Sequence, residues 1–247
     1  MSKRMRYFCS HLAVSFLLAA LTAVLVTQVW YPAPLFKATG LAKIFFMLLA
    51  IDVLIGPLFS LLVYKEGKKT LKFDLAVVAL IQFGAFAYGF YSIAEGRPAW
   101  VVFNQDRFEL VRLNEIDDRD IEKALPEYQS VSLGKPQWVS VDLNHQSAEA
   151  QHKVMLEESL SGGMYSVAQS PVFYQSINME KVIGSNKIRP LVELEKYNTK
   201  DEVQAVLANF SQVNGFFPLK SVDYDMVVLV GRKENQTWQQ IVDLRPW

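Results

Sequence analysis

The sequence predicts an α+β protein, with an N-terminal three-helix transmembrane bundle followed by an α+β domain on a mostly antiparallel sheet. Three observations carry this. Apolar runs fill residues 12–30, 41–64 and 75–93, and each has about the 20 residues that a helix needs to cross a bilayer core. The 154 residues from Ala94 hold no such run. There, short β-rich segments are mixed with helical ones, and hairpins stand at both ends.

Spans near 11–31, 41–64 and 74–93 make residues 1–93 a membrane domain and 94–247 an outer domain. Charge divides at the same place. Residues 1–93 carry nine Lys and Arg against three acids, while the remainder carries 16 against 22, so the net charge of zero is a cancellation. An acidic outer domain argues against a nucleic-acid partner, which needs a basic face. Cys9 stands alone, which excludes an intrachain disulfide, and at the edge of an apolar run a small thiol packs.

The first span follows the basic stretch Lys3-Arg-Met-Arg6. Its length, and the lack of a small-x-small site after it, separate it from a cleaved signal peptide. Trp30, Tyr31 and the two prolines after them read as a span end with interfacial aromatics. The loop at 65–74 holds Lys65, Lys68, Lys69 and Lys72. Positive charge marks the cytoplasmic side, so the N-terminus and this loop lie inside and an odd number of spans puts 94–247 outside, in a bacterium the periplasm.

The second span carries Asp52 near its middle. An acid at that depth costs about 2.5–3.5 kcal/mol on insertion scales, so it is expected to have a partner or a role. Counted at 1.5 Å per residue, Asp52 lies roughly 16 Å below the outer boundary and Gln82 of the third span roughly 10 Å above the inner one. In a core about 30 Å thick these depths agree within about a turn, which predicts a carboxyl–amide hydrogen bond between the two spans. Thr22 of the first span lies near the same depth. Pro57, after Gly56, has no N–H for the carbonyl of Val53 and is expected to kink the helix. In the third span Gln82, Gly84, Ala85, Ala87 and Gly89 form a small-residue face, and Ala85-x-x-x-Gly89 permits close helix approach. Whether that helix is internal or a partner's stays open.

In the outer domain, residues 100–103 and 107–113 read as a hairpin around Asn104-Gln-Asp106. Residues 117–125 read as a short helix, its start favoured by Asp117, Asp118 and Asp120 and its end set by Pro126. A strand is expected at 138–143. A helix follows at 147–160, capped by Asn144 or Ser147 and ended by Gly162-Gly163. Another strand is expected at 172–176, and Thr199 caps a helix over 200–210. Strands at 224–231 and 238–244 close the domain as a hairpin. No G-x-S-x-G, P-loop or G-x-G-x-x-G motif is present. His145, Glu149 and His152 share one face only on a continuous helix, and a solvated polar face explains them more simply than a metal site. Asn209 and Asn235 head sequons of a kind frequent by chance.

Two stretches stand out at the domain's ends. Arg97 after the third span is placed to meet headgroups, with Trp100 as an interface anchor. The chain stops at Asp243-Leu-Arg-Pro-Trp247, and a terminal Trp after Arg245-Pro246 suggests docking on the domain surface as a structural plug.

Together these motifs form a recognisable order. Three spans carry Asp52-x-x-x-Gly56-Pro57, then Lys68-Lys69-x-Leu71-Lys72-x-Asp74-Leu75, then Gln82 and Tyr88-Gly89, followed by Arg97-Pro98 and the terminal Asp243-Leu-Arg-Pro-Trp247. This order resembles the type IV pilin accessory proteins, the TfpZ-like and FimB-like group. The resemblance runs over nearly the whole chain; its membrane motifs are the most specific part and residues 115–215 carry less. It implies an inner-membrane protein with a non-enzymatic role in pilin handling, pilus assembly or the control of extension and retraction. It brings no catalytic residue, cofactor or metal. The expected partners are the major type IV pilin, through its transmembrane helix or its periplasmic head, the lipid bilayer and other pilus assembly proteins. Asp52, Gly56, Pro57, Gln82, Ala85 and Gly89 are the candidates for partner docking or helix packing, and Arg97, Trp100, Arg245 and Trp247 for an interface. The competing classes are a membrane-anchored enzyme on the His145–Glu149–His152 face and a ligand sensor.

Overall fold

The computed structural model describes residues 1–234 and 236–247, and of His145 the backbone alone. The chain forms two compact units, one of Met1–Phe36 with Leu41–Arg97 and one of Lys37–Gly40 with Pro98–Trp247.

The first unit holds three helices long and apolar enough to cross a membrane: Lys3–Trp30, Ala42–Val63 and Leu71–Glu95. The first starts before its apolar run because Ser2 caps it, its hydroxyl accepting the Met5 N–H at 3.3 Å. Its inner face is Ser15, Ala19, Thr22 and Val26, a helical spacing of four, three and four residues. Most large side chains on these helices face outward; Phe16, Leu62 and Leu80 are examples. That is the distribution expected where lipid rather than water is the solvent, since helix packing there has no hydrophobic drive. The second helix is not uniform. Its α-helical ends, Ala42–Ala50 and Gly56–Val63, are joined by a π turn at Ile51–Ile55.

The described residues of the second unit form a seven-stranded sheet in the order β4-β3-β1-β2-β5-β6-β7. The strands are β1 (Pro98–Asn104), β2 (Arg107–Arg112), β3 (Gln137–Val141), β4 (Tyr174–Ser176), β5 (Val213–Lys220), β6 (Met226–Lys233) and β7 (Gln236–Val242). The helices are α1 (Ala148–Leu160), α2 (Met179–Ile183) and α3 (Lys200–Leu207). Pairing is antiparallel except at β1–β3 and β2–β5, so the sheet is mixed and mostly antiparallel, and the fold class is α+β. Ser147 caps α1, accepting the Ala150 N–H at 3.2 Å. Thr199 and Glu202 form a reciprocal capping box on α3.

Helix α2 was not expected, and two further elements depart from expectation in ways the structure explains. The segment at 117–125 is no α-helix; only a 3-10 turn forms, at Ile121–Lys123. Its acids make contacts instead of a helix start. Asp117 takes Arg119 at 2.7 Å, Arg119 reaches Glu157 of α1 at 2.8 Å, and the Tyr165 hydroxyl donates to Asp117 at 3.1 Å. The second departure is β5, which the sequence conceals behind Gly215 and Pro218, residues that weaken a central strand. Pro218 is tolerated because β2 pairs with β5 only at Leu219 and Lys220, beyond the missing N–H. Gly215 is required because a Cβ there would press on the Arg189 carbonyl, at 2.6 Å.

Trp100 is fully buried at the centre of the sheet, edge-on to Tyr128 and Tyr174 with ring centroids 5.8 and 5.4 Å away. Its expected anchoring role at a membrane surface therefore gives way to a core role. The loop segment Lys37–Gly40 also packs into this unit. The Ala38 carbonyl accepts from the N–H groups of Asp223 and Tyr224 and from the Ser221 hydroxyl, at 2.9–3.2 Å. Lys37 pairs with Asp243 at 2.7 Å.

Trp100→Ala is expected to cost about 3–5 kcal/mol of stability, the range for deleting a buried aromatic, read by chemical unfolding of the full chain. A second outcome concerns acid. Burial alone would raise the Asp117 carboxyl, but the hydrogen bonds from Arg119 and Tyr165 outweigh it and hold it below the usual carboxylate range. Stability from this group is thus complete above about pH 4 and is lost as the pH falls through the lowered native value. Asp117→Asn should flatten the decline of the melting midpoint below that pH.

Candidate functional site

The polar centre of the first unit follows from one missing hydrogen. In an α-helix the Asp52 carbonyl would accept from Gly56, but in the π turn the Gly56 N–H bonds the Ile51 carbonyl. The donor next in line is residue 57, a proline with no N–H. The carbonyl left without a donor is therefore that of Asp52, one residue earlier than α-helical counting places it.

Gln82 of the third helix supplies the missing donor. Its Nε2 donates to the Asp52 main-chain carbonyl at 2.9 Å and to Ser15 Oγ of the first helix at 3.1 Å. One amide thus joins all three helices. Gly56 makes room for it, since a Cβ at Gly56 would overlap the Gln82 side chain. The depth match between residues 52 and 82 is real, but the group bonded on Asp52 is the backbone and not the carboxyl. The Asp52 side chain is buried, with a relative exposure of 3% for the residue, and neither carboxyl oxygen has a hydrogen-bond partner among the described residues. Gln82 Oε1 is likewise without one. Thr22 is buried as well. The Ser60 hydroxyl bonds back to the Pro57 carbonyl at 2.7 Å.

The small-residue face of the third helix divides in two. Gly89 serves internal packing, with Leu48 of the second helix 2.6 Å from where its Cβ would stand. Gly84 meets nothing within 4 Å on its outer side, and Ala87 is exposed beside it. Between the second and third helices runs an apolar groove of about 210 Å³, lined by Ile51, Ile55, Gly56, Phe59, Val78, Ile81, Gln82 and Ala85.

The remaining sites lie elsewhere. Arg97 is buried against the end of the third helix; its Nη1 donates to the Ala94 carbonyl at 2.9 Å, and its guanidinium lies 5.8 Å from the centre of the Trp30 ring. Arg245 and Asn198 exchange two hydrogen bonds at 2.8 and 2.9 Å. Trp247 donates its indole N–H to Asp225 at 2.7 Å and lies under Arg189, so the terminal segment is docked on the second unit. His145 lies before α1 with its side chain outside the described residues; Glu149 and His152 are exposed on the helix. Asn235 is also outside the described residues, and the Asn209 amide bonds the Ala205 carbonyl at 2.9 Å. The freed carbonyl at Asp52 is the feature that sequence reasoning missed. Its signal was Gly-Pro four and five residues after an acid in the middle of an apolar run.

Three long apolar helices held by a buried amide, with an α+β unit after them, define the class: a candidate polytopic membrane protein with one folded head. The model of the family described as "Fimbrial assembly protein FimB" matches residues 1–40. The fimbrial assembly protein of serogroup I from Dichelobacter nodosus is 31% identical over 78% of this chain and 74% of its own length. That of serogroup E1 is 30% identical over the same shares. The protein of serogroups C1 and C2 is 37% identical over 43% of this chain and 82% of its own length. The chain belongs to the fimbrial assembly protein FimB family. No solved structure matches it.

Replacing Gln82 by Leu leaves the Asp52 carbonyl buried without a donor, and is expected to cost about 1–2 kcal/mol, read by denaturation in detergent micelles. In a Pro57→Ala background residue 57 regains an N–H, and the same substitution should then cost measurably less. Equal costs in both backgrounds would remove the link between Pro57 and Gln82.

Proposed function

We propose that this chain is a non-enzymatic inner-membrane accessory protein of type IV pilus biogenesis, which holds the transmembrane helix of the major pilin during pilus assembly. The observation that carries this is the uncovered face of the third helix. Gly84 and Ala87 leave its backbone approachable on one face, and Ile81 and Ala85 of the same helix line the groove it forms with the second helix. In lipid, helices associate through such close backbone approach. The relatives' names point to fimbrial assembly. The four lysines of residues 65–74 favour a cytoplasmic position for that loop and hence a periplasmic one for the α+β unit. There its acidic surface would stand beside a pilin head.

Gly84→Leu adds bulk where the chain itself has nothing, so its melting midpoint should match the wild type while pilin capture from solubilised membranes falls at least tenfold. A photo-crosslinker at Ile81, on the groove, should label pilin; one at Leu17, on the outward face of the first helix, should not. Normal piliation in a deletion strain, with no pilin enriched by the wild type, would retire the proposal.

A further inference from the structure

The Asp52 carboxyl is an unexplained cost. It is buried among apolar helices, both its oxygens lack hydrogen-bond partners among the described residues, and no Lys, Arg or His there comes within ion-pair distance of it. A buried polar group without partners destabilises the state that buries it. The contact that does hold the three helices together, from Gln82, uses only the main chain of residue 52 and would form with any side chain there. Packing therefore does not explain the acid.

We infer that Asp52 is a receptor group, which the isolated bundle holds unsatisfied and which a partner's transmembrane helix satisfies with an N–H or O–H donor at mid-membrane depth. This rests on the proposed function and names the chemistry of its docking site. Three features place the donor's approach. Ile51 and Ile55, on either side of Asp52 in sequence, line the lipid-facing groove. Gly56, one turn from Asp52, forms part of the same wall, and the space of its absent side chain holds the Gln82 amide, whose Oε1 is a second acceptor without a partner among the described residues. The backbone at Asp52 is a π turn, which holds more residues per turn than an α turn, so a shift toward α register rotates Asp52 about the helix axis. The complementarity is of hydrogen bonding: two oxygens accept, and the occupant donates.

The prediction is a trade of stability for binding. The full-length protein in detergent is compared as wild type, Asp52→Ala and Asp52→Val, two apolar variants of different size. At least one variant should melt higher than the wild type and neither lower, while both lose pilin capture at least tenfold. If both melt lower, the carboxyl stabilises the bundle and the inference fails. If the wild type captures pilin and both variants capture it equally well, the inference fails while the proposed function stands. If the wild type captures no pilin, the proposed function fails, and pilin as the occupant of this site fails with it.

Discussion

The unit of three long apolar helices depends on how one backbone carbonyl finds a donor. Within a bilayer there is no water to take that place, so every main-chain group has to be satisfied by protein. The π turn at Ile51–Ile55 directs the Gly56 N–H to Ile51, and Pro57 has none to give. The Asp52 carbonyl would be stranded if Gln82 did not reach it across the interface. The same amide takes Ser15, so satisfying a local defect also sets where three helices meet. Glycine at 56 is part of this solution, because the amide occupies the space of its absent side chain. Even the sequence features with the strongest local signals are thus tied together by a single polar requirement.

The second unit is organised differently. Its centre is aromatic: Trp100 is enclosed by Tyr128 and Tyr174 on strands and turns that are far apart in sequence. Residues 243–247 are fastened to this unit by polar contacts. Asn198 clasps Arg245, Asp225 takes Trp247, and Lys37 takes Asp243. The loop between the first two long helices therefore gives four residues to the head, and Ala38 among them is completely buried. A short connection between two helices is thus in part a piece of a second folded unit.

Much of the fold was legible because its signals are local. Span number follows from length and hydropathy, the caps at Ser147 and Thr199 from side-chain chemistry at helix starts, and the two end hairpins from alternation around turn residues. Strand β5 was not legible, because Gly215 and Pro218 argue against a central strand until one sees that pairing to β2 begins after the proline. The helix expected at 117–125 failed for a related reason. Asp117 is engaged by Arg119 and by Tyr165, and Arg119 reaches on to Glu157, so contacts to distant residues outweigh the weak helix preference of the segment.

For the candidate site, the sequence by itself determined which residues are costly in an apolar run and which of them face each other at one level. It identified Asp52, Gly56, Pro57 and Gln82, and matched the levels of acid and amide, because helix rise and bilayer thickness are fixed lengths. Only the tertiary structure decided which atoms meet. Depth says nothing of rotation about a helix axis or of hydrogen-bond register, and the π turn changes both. It sends the Gln82 amide to the backbone of Asp52 and leaves the carboxyl unpaired, while on the third helix Gly89 faces Leu48 and Gly84 stays open.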